Sequence, residues 1–279
     1  MANVLERLER FNMTRRQMAA ILMLLAFIPI IIPIGLPIYI GGLAKDYYNE
    51  VERLKPGDVL VFSSMQVGYL AERDVVRATI YHATKKGAKI LIYCFWGADP
   101  QEWVWILEYI DMMKLGYKYG EDYILFPFLA GDETAFAAVA KDLGVTRKDF
   151  YGTPVEDLPL MSKLKNGPHS DLTAVALAWT RIGQVVYVEG WIRQWLSKYG
   201  VRGIDCRGYT NIAPWYGTYI FGCLDGLRGY AEYEKLTGYI GVDVMKMDVN
   251  NLTGTFTIVA TFVGIIGWVS AHKKKIRVR

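Results

Sequence analysis

Met18 to Ile40 runs for 23 residues without a charge, and every reading of the chain has to accommodate it. As a helix it would be roughly 34 Å long, enough to cross a bilayer. Pro29, Pro33 and Pro37 recur four apart and so share one helical face. Each removes a backbone donor and crowds the carbonyl four residues earlier. In a membrane those carbonyls need hydroxyls, water or a neighbouring helix, so a kink or local unwinding packed against protein is expected. The stretch lacks the ionisable groups that mark transport pathways, which favours a kinked anchor over a transporter-like broken helix. A cleaved signal peptide is the alternative, with Arg15 and Arg16 ahead of the run and Gly42-Leu43-Ala44 loosely resembling a cleavage site. The run is longer than an ordinary signal core.

A second uncharged run, Leu252 to Ala271, precedes the basic tail HKKKIRVR and would span about 30 Å. Ala260, Gly264, Gly267 and Ala271 form a seam of small residues along it, of the kind that lets another helix approach closely. Thr253, Thr257 and Thr261 are expected to offer hydroxyls to carbonyls freed by the prolines. Ahead of the first run, Val4, Leu5, Leu8 and Phe11 alternate with Glu6, Arg7, Glu9 and Arg10 at helical spacing, which predicts an amphipathic helix at the membrane interface. The expected organisation is an interfacial helix over 1–17, a Pro-kinked transmembrane helix over 18–41, a folded domain over 45–250, a transmembrane helix over 252–271 and a basic tail over 272–279.

Such a chain sits in the cell membrane as a two-pass protein with the lipid bilayer as its first partner. Arg7, Arg10, Arg15 and Arg16 before the first run, with Lys273, Lys274, Lys275, Arg277 and Arg279 after the second, outweigh Lys45, Arg53, Lys55, Lys235 and Lys246 on the inner flanks. The positive-inside rule then puts the middle domain outside the cytoplasm. Unpaired cysteines point the other way, to a reducing compartment. The net charge of +4 resides mainly at the termini, and no basic patch with interleaved aromatics occurs, so nucleic acid is not expected as a partner.

Between the runs, short apolar segments alternate with helical spacing. Val59 to Phe62, Lys89 to Phe95, 122–128, 172–179 and 201–206 read as strands; 68–87, 100–116, 132–144, 184–200 and 217–238 read as helices. Continuous apolar strands alternating with helices predict a doubly wound, mainly parallel, Rossmann-like α/β domain flanked by a transmembrane helix at each end. The turn-rich stretch 145–170 is a long excursion of the kind that often carries function.

Ligands of such sheets lie beyond the carboxyl ends of the strands. That rule nominates a rim of Ser63, Ser64 and Gln66 after the first strand, Trp96, Gly97 and Asp99 after the second, Arg181 after the fourth and Arg207 after the fifth. Catalytic signatures are missing: there is no GxGxxG, Walker loop, GxSxG or HExxH. His169, Ser170 and Asp171 read as a loop and cap. Cys94, Cys206 and Cys223 have no CxxC spacing, and His82, His169 and His272 lie far apart, so neither a disulfide framework nor a metal site is expected, and no cofactor is either.

The segments GLPIYI (35–40), YGEDYILFPFLAGDETA (119–135), DFYGTPVEDLPLM (149–161) and YGTYIFGCLDGLRGYAEYEKLTG (216–238) resemble a family of uncharacterised prokaryotic integral membrane proteins. Its members share a GEDY segment, an LP-containing loop and a G(L/M)xGAAEYE signature before the last membrane helix. This chain departs at Tyr230, where the family favours a second Ala. The resemblance implies an architecture with a membrane helix at each end and implies no activity.

The small-residue strip Gly222, Gly226 and Gly229 in 217–238, with Arg228, Glu232 and Glu234 beside it, suggests close packing on the sheet or against another subunit. The first functional expectation is an oligomeric scaffold or accessory subunit of a membrane complex, a homo-oligomer joined through the membrane helices and the 217–238 helix. The alternatives are a membrane-anchored sensor or solute receptor using the strand-end rim, and a membrane-anchored hydrolase or transferase using Asp99, Cys94 and Asp122.

Overall fold

The structure is a computed structural model and describes residues 14–32, 34–64, 73–181, 185–239 and 241–277. The chain divides into two compact units, Ile38–Asp243 and a second made of Met1–Pro37 with Val244–Arg279.

In the larger unit, six strands form one all-parallel sheet: β1 (Val59–Ser64), β2 (Lys89–Cys94), β3 (Tyr123–Phe128), β4 (Leu177–Arg181), β5 (Arg202–Asp205) and β6 (Ile220–Cys223). Their order is β3-β2-β1-β4-β5-β6, the doubly wound Rossmann order, which reverses between β1 and β4. Period-two alternation sends Leu60, Phe62, Ile90, Ile92, Leu125, Leu177, Trp179 and Ile204 to one face and Val59, Val61, Leu91, Tyr93, Ile124, Phe126 and Ala178 to the other. Buried on both faces, the strands read as nearly continuous apolar runs, which is why they were legible.

Helices α2 (Gly42–Glu52), α3 (Arg73–Lys85), α4 (Asp99–Ile110) and α7 (Gly226–Thr237) cover the first face through Tyr47, Val51, Val76, Ile80, Trp103, Ile106, Ala231 and Tyr233. Helices α5 (Asp132–Lys141) and α6 (Val185–Trp191, continued by π-type turns over Ile192–Ser197) cover the other with Phe136, Val139, Trp191 and Trp195. The excursion over 145–170 joins this second layer by burying Val155, Leu158, Leu160, Met161 and Leu164. It serves as part of the core wall. Asp171 caps a single 3-10 turn by accepting from the Thr173 N–H, as a loop-and-cap reading anticipates.

Two sequence expectations are corrected here. The 217–238 segment is not one helix: Ile220–Cys223 is the sixth strand and the helix is limited to Gly226–Thr237. Gly222 is the reason α2 can lie on this edge, since an added Cβ would stand 2.4 Å from the Tyr47 Cα and 2.7 Å from its nitrogen. Arg228 pairs with Glu232 one turn on in its own helix, at 2.8 Å. The fourth strand starts later than expected, at Leu177, and carries Arg181 within it.

In the smaller unit, α1 (Arg15–Ile31) opens with a Thr14–Gln17 capping box. It ends at Ile31, and 34–41 is non-helical, so the uncharged run is not a single helix to Ile40. Asp248, fully buried, accepts the Gly35 N–H at 2.7 Å and the Leu36 N–H at 3.0 Å. α8 (Asp243–Arg277) is the one helix among the described residues long and apolar enough to cross a membrane, over Asp243–Val269. Thr253, Thr257 and Thr261 donate to the carbonyls of Val249, Thr253 and Thr257, each at 2.8 Å. Their hydroxyls are therefore used within their own helix, four residues back, rather than at proline-freed carbonyls. The amphipathic segment expected over 1–17 lies almost wholly outside the described residues.

Candidate ligand-binding site

At the carboxyl edge the apolar strands turn polar. Register aligns Ser63 of β1 with Thr180 of β4, Thr180 with Asp205 of β5, and Asp205 with Cys223 of β6. Alternation places these four on the face of α5 and α6. The next residues, Ser64 and Arg181, are also register partners and belong to the opposite face. The reversal of strand order lies between Ser63 or Ser64 and Thr180 or Arg181, which is where sheets of this kind open a crevice.

The two serines are structurally committed. Ser63 donates to the Trp179 carbonyl at 2.8 Å. Ser64 donates to Asp99 at 3.1 Å and accepts from the Trp103 indole at 2.8 Å. This buried trio ties α4 to the end of β1. Trp96 and Gly97 sit in the turn after β2, with Trp96 about half exposed, and Gln66 lies outside the described residues.

Asp205, Thr180 and Arg207 form a different kind of group. The Asp205 carboxyl is buried, and its Oδ1 accepts the backbone N–H groups of Arg207 at 2.9 Å and Gly208 at 3.4 Å. Gly208 closes this Asx turn at φ 154°, a backbone region almost reserved for glycine. Oδ2 has no hydrogen-bond partner, and the same holds for the Thr180 hydroxyl and Arg207 Nη1, all three buried. A buried polar group without a partner costs about 1–3 kcal/mol. Three of them on two adjacent strand ends call for something that offsets the cost.

Electrostatics mark the same place. Burial raises the Asp205 carboxyl to about 6, against the lowering pull of the two backbone N–H groups and of the Arg207 and Arg181 guanidiniums. Arg181 is itself buried. A buried acid held near neutrality beside fixed positive charge, at a strand end, is characteristic of functional sites.

The thiols do not join this chemistry. Cys94, Cys206 and Cys223 are free, buried and pushed above their ordinary range chiefly by burial, so the thiolate form is disfavoured. Cys94 ends β2 and Cys206 directly follows β5, and those strands are three strand spacings or about 14 Å apart. The trio Asp99, Cys94 and Asp122 is not assembled. Asp122 precedes β3 at the amino edge, paired with Lys89 and accepting the Lys118 N–H at 2.8 Å, whereas Cys94 and Asp99 lie at the carboxyl edge. Among the described residues no cluster of His, Cys, Asp and Glu has metal-binding geometry.

Of the residues nominated from the sequence, the structure groups Ser64 with Asp99, and the charges of Arg181 and Arg207 both act on Asp205. Asp205 and Thr180 were missed. Each is a polar residue near the end of a short strand, LAWTR and RGID, and only the register shows that the two lie side by side. Comparison with family models, with curated proteins and with solved structures found no match for this chain.

Proposed function

We propose that the chain is a membrane-anchored binding protein whose α/β domain holds a small polar ligand at the carboxyl edge of β4 and β5. The observation that carries this reading is the set of buried, unpartnered polar atoms on Asp205, Thr180 and Arg207 beside the reversal of strand order. A protein that only needed a stable sheet would have apolar residues there. The anchor is α8, with α1 as a second pass; exposed Met23, Leu24, Phe27, Ile30 and Ile31 on α1, and exposed Ile258, Phe262, Ile265 and Trp268 on α8, support burial in lipid. Retention in the pellet after alkaline carbonate washing is expected, and release into the supernatant would remove the anchoring.

The binding reading is tested by thermal shift of the full chain in mild detergent against a panel of nucleotides, sugars, organic acids and amino acids. At least one class should raise the midpoint of the parent protein and leave the Arg207→Gln variant unmoved. A flat response across the panel would overturn the reading. An oligomeric scaffold or accessory subunit is the second reading, favoured by the exposed Trp105, Tyr109 and Met113 on and just after α4. It requires a species larger than one chain under the same conditions.

A further inference from the structure

His82 lies where three helices meet, and its two ring nitrogens tie them together. It projects from α3 and is 3% exposed. Nε2 is 3.1 Å from Glu52 Oε1 at the end of α2, and Nδ1 is 2.9 Å from the buried hydroxyl of Tyr233 on α7. Tyr48 of α2 stacks on the ring with centroids 4.6 Å apart. Along the chain, α2 is the first helix of the larger unit and α7 the last before α8. We propose that this junction is an acid-sensitive latch: neutral His82 clasps α2 to α7, and protonation of the ring loosens the two helices through which the chain enters and leaves the domain.

The partners assign the ring's proton. Glu52 is held ionised, first by its bond to Lys86 at 2.8 Å and then by His82 itself, so it can only accept, and Nε2 carries the hydrogen. Nδ1 of the neutral ring is then an acceptor, and Tyr233 donates to it. A second proton would have to sit on Nδ1, donor against donor, and the Tyr233 O–H would have to turn away. The groups facing the ring are Tyr48 and Glu52 from α2, Lys85 and Lys86 from the end of α3, and Tyr233 from α7. Two ammoniums and one carboxylate, already paired with Lys86, give a buried imidazolium little compensation. Burial accordingly pushes the ring below its ordinary range, against the raising pull of Glu52. A histidine held low contributes stability that is complete above about pH 6.5 and is lost as pH falls below it.

Urea unfolding and hydrogen exchange of the full chain in mild detergent test the latch between about pH 7.5 and about pH 5, on either side of the ordinary histidine value. The comparison is with His82→Gln, whose amide keeps a donor and an acceptor but does not titrate. Relative to that variant, the parent's unfolding constant should rise by up to about tenfold per pH unit below about pH 6.5. Asp205 titrates alike in both chains and cancels in the ratio. At matched acid pH, amides of α2 and α7 should exchange faster in the parent than in the variant, and those of α5 equally. Glu52→Gln withdraws the carboxylate that faces the ring, so it should steepen the acid loss, and it reads the same junction if His82→Gln does not fold. A ratio that stays flat with pH, exchange that rises evenly over the domain, or an acid response left unchanged by Glu52→Gln would overturn the latch.

Discussion

Asp205 is the residue whose environment is most at odds with its chemistry, and its protonation gives a signed prediction. Folding raises its carboxyl to about 6, chiefly by burial, from about 3.9 for an exposed aspartate. Between those values the folded protein holds a proton that the unfolded chain has released. Its contribution is therefore fully present below about pH 4 and is lost as pH rises to about 6, a change of about 3 kcal/mol. Glu52 acts in the opposite sense: the Lys86 bond, then the His82 bond, lower it from 4.5 to about 2, so its contribution is present above the first value and is lost as pH falls to the second. Thermal unfolding of Asp205→Asn and parent protein across this window isolates the first effect. The variant should gain on the parent as pH rises from about 4 to about 6, and parallel curves would show that Asp205 is not held protonated. Arg181 and Arg207 were reachable from the sequence because strand-end position alone nominates them. Asp205 was not, because an acid inside an apolar run reads as part of the strand until register shows that it is the last rung.

Secondary elements were legible where burial is two-sided and helices are long. Asp99-Pro100 marks the start of α4, and Asp132 the start of α5, as N-terminal signals predict. The segment before α7 failed for a physical reason: Ile220–Cys223 is only 4 residues, too short for periodicity to separate a strand from a buried helical turn. The true helical spacing of Leu227, Tyr230 and Tyr233 was extended upstream into it. Gly222 now explains itself as a contact between β6 and α2 rather than as a helix-packing notch. Gly222→Ala should destabilise the domain by about 1–3 kcal/mol or more, because the new methyl meets Tyr47 backbone, which cannot rotate away. A melting midpoint within error of the parent would contradict that packing. Likewise the threonines of α8 are expected from sequence to serve proline-freed carbonyls, yet each donates to a carbonyl of its own helix.

For the molecule as a whole, the fold class followed from alternation of apolar strands and helices, but strand order did not. No local pattern records which strands are neighbours, and the decisive feature, the reversal between β1 and β4, is a property of topology alone. The candidate site inherits that limit, since its residues come from positions 180 to 207 on two strands brought together only by the ladder between them. Two apolar runs were equally visible in sequence, and they fold differently: α1 carries Pro29 within it and ends at Ile31, while α8 runs unbroken from Asp243 to Arg277. Hydrogen exchange on the full chain in detergent, with and without the panel compound that most raises the melting midpoint, tests the binding site most directly. Protection is predicted in peptides covering the ends of β1, β4 and β5, above all the amides of Arg207 and Gly208, with α8 unchanged. Protection spread evenly over the domain, or confined to segments away from those strand ends, would contradict it.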